Sequence, residues 1–287
     1  MIQVSNLSYC YPSETEPTLQ GLNFTIEPGE IFGLLGPSGA GKSTTQNILI
    51  GLLKSYDGHV KVKQCEVKEW GQDYYEHIGV SFELPNHYLK LTAVENLKHF
   101  GSLYHDHILD PMMVLDWVGL ADDAHKKVSD FSKGMKIRLN VARSLLHQPQ
   151  VLFLDEPTSG LDPVNARRMK DLILKLRKQG TTILISTHNM SVADELCDRV
   201  AFITAGKIRM IDSPAALKRK FGKRSVRIGY TNEQGKHIER EFPLAHLGQN
   251  RDFLNILQAD SMIDTIHTQE TTLEHIFIQV TGQELVV

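Results

Sequence analysis

One stretch constrains this chain more than any other: Gly36-Pro37-Ser38-Gly39-Ala40-Gly41-Lys42-Ser43-Thr44, set between the apolar run Ile31 to Leu35 and a helix-like segment carrying Ile48, Leu49 and Leu52. Glycine, four residues, then Gly-Lys-Ser is the spacing of a phosphate cradle. Glycines let backbone N–H groups approach phosphate oxygens because no Cβ intervenes. Those donors run into the N-terminus of the next helix, where unpaired N–H groups and the positive dipole end favour an anion. Lys42 adds a full charge for the β- and γ-phosphates, and the Ser43 hydroxyl is placed to ligate a bridging Mg²⁺. A plain glycine-rich turn is the alternative, but the strand before and the helix after supply the context the motif demands.

Other segments carry matching chemistry. Val151-Leu152-Phe153-Leu154 is a fully apolar strand closed by Asp155 and Glu156. A buried parallel strand that ends in acids delivers them to its C-terminal edge, the edge that also bears the phosphate loop. Asp155 suits Mg²⁺ held through water, and Glu156 suits a general base that polarises the attacking water. Glu156 as a mere helix-start residue would leave two adjacent acids after four core positions without a reason. Thr182 to Thr187 is the next core strand, and His188 follows at the same edge, within reach of a γ-phosphate. Phe131-Ser132-Lys133-Gly134-Met135 opens a helix whose apolar positions are Ile137, Leu139, Val141, Ala142, Leu145 and Leu146. Ser132 is a natural N-cap; the stretch reads either as that alone or, with the Gly134 amide, as a second anion site at a helix N-terminus. Ser159-Gly160-Leu161-Asp162-Pro163 is a turn ahead of a further helix.

Elsewhere the pattern sets out the frame. Val4, Leu7 and Tyr9, then Phe24 and Ile26, read as short strands split by the turn-rich stretch Pro12 to Pro17. Tyr11 sits at the edge of that loop and reads equally as a core ring or as a ring that stacks on a flat base. Ile78 to Phe82 is an apolar run closed by Glu83. From about Leu91 to Ala124 the spacing of Val94, Leu97, Phe100, Leu103, Tyr104, Val114, Leu115 and Val118 predicts helix, an insert that serves as a lid or a docking surface. His99, His105 and His107 lie there near Asp106 and Asp110, without an i, i+4 pair backed by a carboxylate, and read as solvated surface rather than as a metal site. Val200 to Ile203 and Ile208 to Ile211, joined at Ala205-Gly206, predict a hairpin that finishes the sheet. A boundary falls in the basic stretch from Lys218 to Arg224. Beyond it lie alternating strands around the turn Asn232 to Gly235, a helix with Phe253 and Ile256, a strand near Ile263 to Ile266, and a last helix. That helix opens on capping-box spacing at Thr271 and is expected to expose Leu273, Ile276, Phe277 and Val280.

A net charge of −3 on 287 residues offers no basic excess for nucleic acid. The three cysteines, Cys10, Cys65 and Cys197, have no CxxC spacing, which points to a reducing compartment and away from zinc. The start lacks the basic residues and apolar stretch of a signal peptide, and no run is long enough to cross a bilayer. The expectation is a soluble, cytosolic chain that serves any membrane process through a partner.

With these motifs in this order, residues 1 to about 217 resemble the ATP-binding cassette subunit of a membrane transporter. The resemblance implies an α/β fold: a P-loop NTPase core with a mostly parallel sheet, an antiparallel β subdomain and a helical insert at about 84–130, followed by a small α+β accessory domain over 218–287. It implies that Tyr11 stacks on adenine, that residues 36–44 hold the phosphates of ATP, and that Ser43 and Asp155 hold Mg²⁺. Glu156 becomes the catalytic carboxylate and His188 the switch histidine, while residues 159–162, with Asp162, match the D-loop. Ser132 and Gly134 would contact the γ-phosphate held by a second cassette, so a homodimer docked on integral membrane permease subunits is implied. Two departures stand out. Lys133 and Met135 replace the commonest signature residues, and Glu83 replaces the usual Q-loop glutamine, where its carboxylate can touch nucleotide, Mg²⁺ or water. The Ser-Lys-Gly-Met variant and the closing Thr272 to Phe277 look like cassettes of bacterial drug and antibiotic exporters. The rival readings are a soluble cassette acting on DNA or ribosomes, which usually carries two cassettes or a long coiled coil, and a low-turnover regulatory subunit, which the presence of Glu156 and His188 argues against.

Overall fold

Ile31–Leu35, Val151–Asp155 and Thr182–Thr187 are buried at nearly every position because both of their faces are covered. They form the middle of a sheet in the computed structural model, which describes residues 1–84, 86–105, 108–222, 225–231, 235–259, 262–269 and 271–283. Asp106 and His107, the basic pair Lys223-Arg224 and the turn residues Asn232, Glu233 and Gln234 lie outside the described residues. Among those described, the sheet runs in the order Lys207–Asp212, Arg199–Thr204, Ile31–Leu35, Thr182–Thr187, Val151–Asp155, Ile78–Ser81. Neighbours are parallel except for the hairpin at one edge. Ala205 and Gly206, both at positive φ, make its two-residue turn, the primed geometry that suits strand twist.

An antiparallel sheet of Leu19–Ile26, Ile2–Tyr9, Asp57–Val62 and Cys65–Glu66 lies over this layer. Its buried row, including Leu22, Phe24 and Ile26, shares one core with Phe32 and Leu34 of the central strand and with Ile48 and Leu49 of the helix Lys42–Leu49. Phe24 stacks on Phe32 with ring centres 5.5 Å apart. Each such side chain contributes roughly 2 kcal/mol by leaving water, so the phosphate loop rests on a rigid base.

The insert is helical, in separate pieces. It holds the helices Ala93–Gly101 and Pro111–Trp117 and short 3₁₀ turns at Ala121–Asp123 and Val128–Asp130, with Leu103 and Tyr104 in the connection. Pro111 cannot continue a helix from behind and starts one instead. Asp110 caps it by accepting from Met112 N at 2.9 Å. Thr92 and Glu95 form a reciprocal capping box on the first helix.

The chain divides into two compact units, with Met1–Ser213 in one and Pro214–Gln283 in the other. In the second, the helix Arg251–Gln258 places Phe253 and Ile256 against Val226, Ile228, Tyr230 and Phe242 of a sheet ordered His237–Pro243, Ser225–Thr231, Met262–Gln269. The last helix, Leu273–Thr281, corrects the sequence expectation twice. Leu273, Ile276 and Phe277 are at most 1% exposed rather than presented to solvent, and the helix packs on Pro214–Phe221. Apolar residues at i, i+3 and i+4 make an inward stripe. The cap is Thr272, accepting from His275 N at 3.3 Å, one residue later than the spacing suggested.

Candidate active site

Strand register assembles the site. Leu35 pairs with Thr187 and Asp155 with Ser186, so Gly36, Glu156 and His188 leave the sheet along one edge. Glycine is obligatory at two points of the loop. A Cβ on Gly36 would stand 2.1 Å from Ile203 O, and Gly41 has φ +104 with its Cβ position 2.6 Å from Leu19 Cδ2. Lys42 Nζ donates to Gly36 O at 2.7 Å and to Pro37 O at 2.9 Å, which ties the ammonium across its own loop. Burial pushes its pKa below the ordinary lysine value, opposed by the charges of Glu156, Asp155 and Glu83. Ala40 closes the loop by donating its N–H to Pro37 O at 3.2 Å.

Above the loop lies a cavity of about 450 Å³. The loop and helix residues Ser38, Gly39, Gly41, Lys42, Ser43 and Thr44 line it together with Glu83, Asp155, Glu156, His188, Glu14 and Thr18. Glu156 is 6% exposed and holds φ +47, a strained value for a side chain of this size. Its N–H donates to Ser186 O at 2.9 Å. Its carboxylate accepts from Thr187 Oγ1 at 2.8 Å and from His188 N at 2.8 Å, and lies 2.6 Å from His188 Nδ1. These bonds compensate the strain and aim the acid. For Asp155, burial raises the pKa, the Ser186 hydroxyl bond at 2.7 Å opposes this, and the charges of Glu83 and Glu156 raise it further.

Gln46, Ser186 and Thr187 carry this geometry and were not singled out in the sequence. Ser186 Oγ lies 2.7 Å from both Gln46 Oε1 and Asp155 Oδ1, although its hydroxyl has one proton to give. Gln46 Nε2 is buried without a partner. Turning the Gln46 amide gives the shared hydroxyl a consistent role: Gln46 donates to Ser186 and Ser186 donates to Asp155. The available signal was a glutamine facing inward between the apolar positions of a short helix, and a polar Ser-Thr ending on an apolar strand.

Other expected residues sit apart. The half-buried Tyr11 places its hydroxyl 3.2 Å from Thr44 Oγ1 and its ring edge-on to Tyr9 at 4.9 Å. Ser132 caps the helix Lys133–Leu145 by accepting from Met135 N at 3.2 Å. The Cβ position of Gly134 approaches Gly160 O at 3.3 Å. Asp162 caps Pro163–Lys178, accepting from Val164 N and Asn165 N at 3.0 Å, and its bond from the Asn165 side chain, first among several, holds its pKa low. Among the described residues, the cavity walls include Lys42, Ser43, Glu83, Asp155, Glu156 and His188, and not Tyr11, Ser132, Gly134 or Asp162. In the insert, His105 pairs with Glu76 at 3.1 Å and His99 meets Tyr88 edge-on at 4.8 Å. A Mg²⁺–nucleoside triphosphate fits what is present: a glycine-rich loop at a helix N-terminus, one ammonium, and hard oxygen donors at Ser43 and Asp155, all lining one cavity.

Comparison with known proteins agrees with this geometry. Residues 19–159 match the ABC transporter family, and residues 224–270 match the fluoroquinolone efflux ABC transporter C-terminal domain. The chain is 53% identical over 285 residues to a fluoroquinolones export ATP-binding protein of Mycobacterium tuberculosis (strain ATCC 25618 / H37Rv), covering 99% of this chain and 94% of that one. It is 34% identical over 301 residues to the bacitracin transport ATP-binding protein of Bacillus licheniformis, covering 98% and 97%. Among solved structures, a dimeric post-hydrolysis ATP-binding cassette bound to ADP and Pi superposes with a TM-score of 0.68 at 27% identity, covering 74% of this chain and 98% of that one.

Proposed function

The chain belongs to the ABC transporter family as an ATP-binding, ATP-hydrolysing cassette subunit, and on that premise we propose that it powers drug export as one half of a homodimer beneath a membrane permease. Residues 36–44 hold the phosphates, with Lys42 on the β- and γ-groups and Tyr11 against the base. Ser43, Asp155 and Glu83 hold Mg²⁺, which when bound neutralises phosphate charge. Glu156 takes a proton from the attacking water as its oxygen bonds to the γ-phosphorus and the bond to the β,γ-bridging oxygen breaks, giving ADP and phosphate. His188 keeps Glu156 aligned. The observation that carries this reading is the buried Glu156, bonded to Thr187 and His188 across the cavity from Lys42.

Ser132, Gly134 and Asp162 are proposed to complete the site of the opposite subunit, since in their own chain they lie away from the cavity. The helical insert offers the permease an apolar face with Leu84, Tyr88, Leu89 and Leu103 all at least half exposed. Cassette function is assigned to residues 1–217 and an accessory role to 218–287. The likeness along nearly the whole chain to a fluoroquinolones export protein supports outward movement of a drug of that kind. None of the described helices is long and apolar enough to cross a membrane, and we assign the subunit to the cytoplasmic face, held there by the permease.

The test is Mg-ATP turnover by the purified chain as a function of its concentration, with Glu156→Gln alongside. The reading requires turnover that rises faster than linearly and disappears in the variant. Undiminished turnover in Glu156→Gln would remove the assigned base.

A further inference from the structure

Phe82, Asn86, His87 and Tyr88, which flank the cavity residue Glu83 in the chain, are fastened to the helices Lys133–Leu145 and Ala93–Gly101. Asn140, fully buried in Lys133–Leu145, donates Nδ2 to Phe82 O at 2.8 Å and to Ser81 Oγ at 3.1 Å. Its Oδ1 accepts from Arg143 Nη2 at 2.6 Å, and Arg143 Nη1 donates to Asn86 O at 2.8 Å while its guanidinium lies 4.5 Å over the Phe100 ring. His87 Nε2 donates to Lys136 O at 3.0 Å. Asn96, also fully buried, accepts from Tyr88 N and donates to Tyr88 O at 3.0 Å each. Between these anchors Glu83 is exposed and Leu84 is 80% exposed.

Both donors and the acceptor of the Asn140 amide are used, in a stretch of helix where the flanking Leu139 and Val141 are apolar and buried. A buried amide costs stability unless it is fully bonded, and once bonded it specifies one arrangement. The arrangement it specifies is the angle between the end of the strand Ile78–Ser81 and the helix that starts at Ser132. We infer that Asn140 is a positioning residue for cassette pairing: it fixes Ser132 and Gly134 relative to Glu83, so that the first turn of their helix meets the phosphate held by the partner. This rests on the role proposed above for Ser132 and Gly134. Nucleotide binding within one chain does not depend on it.

The experiment uses the full chain in the Glu156→Gln background with MgATP. The dimer dissociation constant is measured by sedimentation, and the affinity of the monomer for a fluorescent ATP analogue is measured in parallel. Asn140→Ala removes the two neutral bonds that tie the strand end to the helix, those to Ser81 and Phe82, along with the bond from Arg143 within the helix itself; loss of the first two is expected to weaken pairing about tenfold and to leave analogue affinity within about twofold. Asn140→Asp keeps the acceptor for Arg143 but loses both donors, and is expected to match Asn140→Ala. Ser81→Ala, with one bond lost, is expected to weaken pairing about threefold and decides the matter if the Asn140 variants do not fold. Normal pairing in these variants, or equal losses of pairing and nucleotide affinity, would overturn the inference. Ser132→Arg separates the two claims. If it blocks pairing while Asn140→Ala does not, the inference alone falls; if it pairs freely, the reading of Ser132 falls and the inference with it.

Discussion

The Lys42 side of the site and the Ser132 side differ in what their polar groups are bonded to. Around Lys42 the groups are bonded to one another: the ammonium to loop carbonyls, Asp155 to Ser186, Glu156 to Thr187 and His188. Around Ser132 and Asp162 the side chains cap helices, Asp162 also accepting from the Asn165 side chain in the same first turn, and the first-turn amides face outward, as helix geometry requires. One side is finished chemistry awaiting a substrate. The other is a set of donors awaiting a surface, and on the proposed reading this difference is the reason a single chain binds nucleotide yet closes around it only with a second cassette.

The comparison predicts unequal losses. Glu156→Gln strikes the finished side at the proton acceptor and should lower turnover by about a hundredfold or more, while nucleotide-dependent dimers accumulate in sedimentation. Lys42→Ala removes charge-assisted bonds and should weaken ATP binding by roughly thirtyfold in a calorimetric titration; a small loss would move the affinity out of the loop. On the other side, burial lowers the His87 pKa from 6.5 to about 4, with Arg143 and Lys136 adding to the shift and the bond to Lys136 O opposing it. The folded state therefore takes up its proton later than the unfolded chain does. Stability is full above 6.5 and is lost as pH falls toward 4, by about 2 kcal/mol between pH 7 and pH 5. His87→Gln, which keeps a donor for Lys136 O, should flatten part of that slope in denaturant titrations; the buried His147, also lowered, leaves the remainder. The smallest effect belongs to Asp162. Asp162→Ala should lower the thermal midpoint slightly and Asp162→Asn less, since asparagine still accepts from the first turn.

Legibility in the sequence follows the same division. The phosphate loop and the Asp155-Glu156 pair were readable because each is contiguous and its neighbours dictate strand or helix. The hairpin at Ala205-Gly206 was readable for the same reason. The bond between Gln46 and Ser186 was not, because it spans 140 positions and exists only once the strand Thr182–Thr187 lies beside Ile31–Leu35. The interruption of the insert after Gly101 was hidden by a helical spacing that continues across a connection, and only Asp110-Pro111 betrayed it. Burial of the last helix was misread because an apolar stripe states that it will be covered without stating by what.

Glu156 carries one more consequence. Its left-handed backbone is a position that glycine or asparagine would occupy with less strain. Folding and the catalytic role proposed for it therefore pull this codon in opposite directions. In a lineage released from selection for transport, drift should erode residue 156 early and leave the cradle of glycines behind it, since those glycines are demanded by the fold as well as by the ligand.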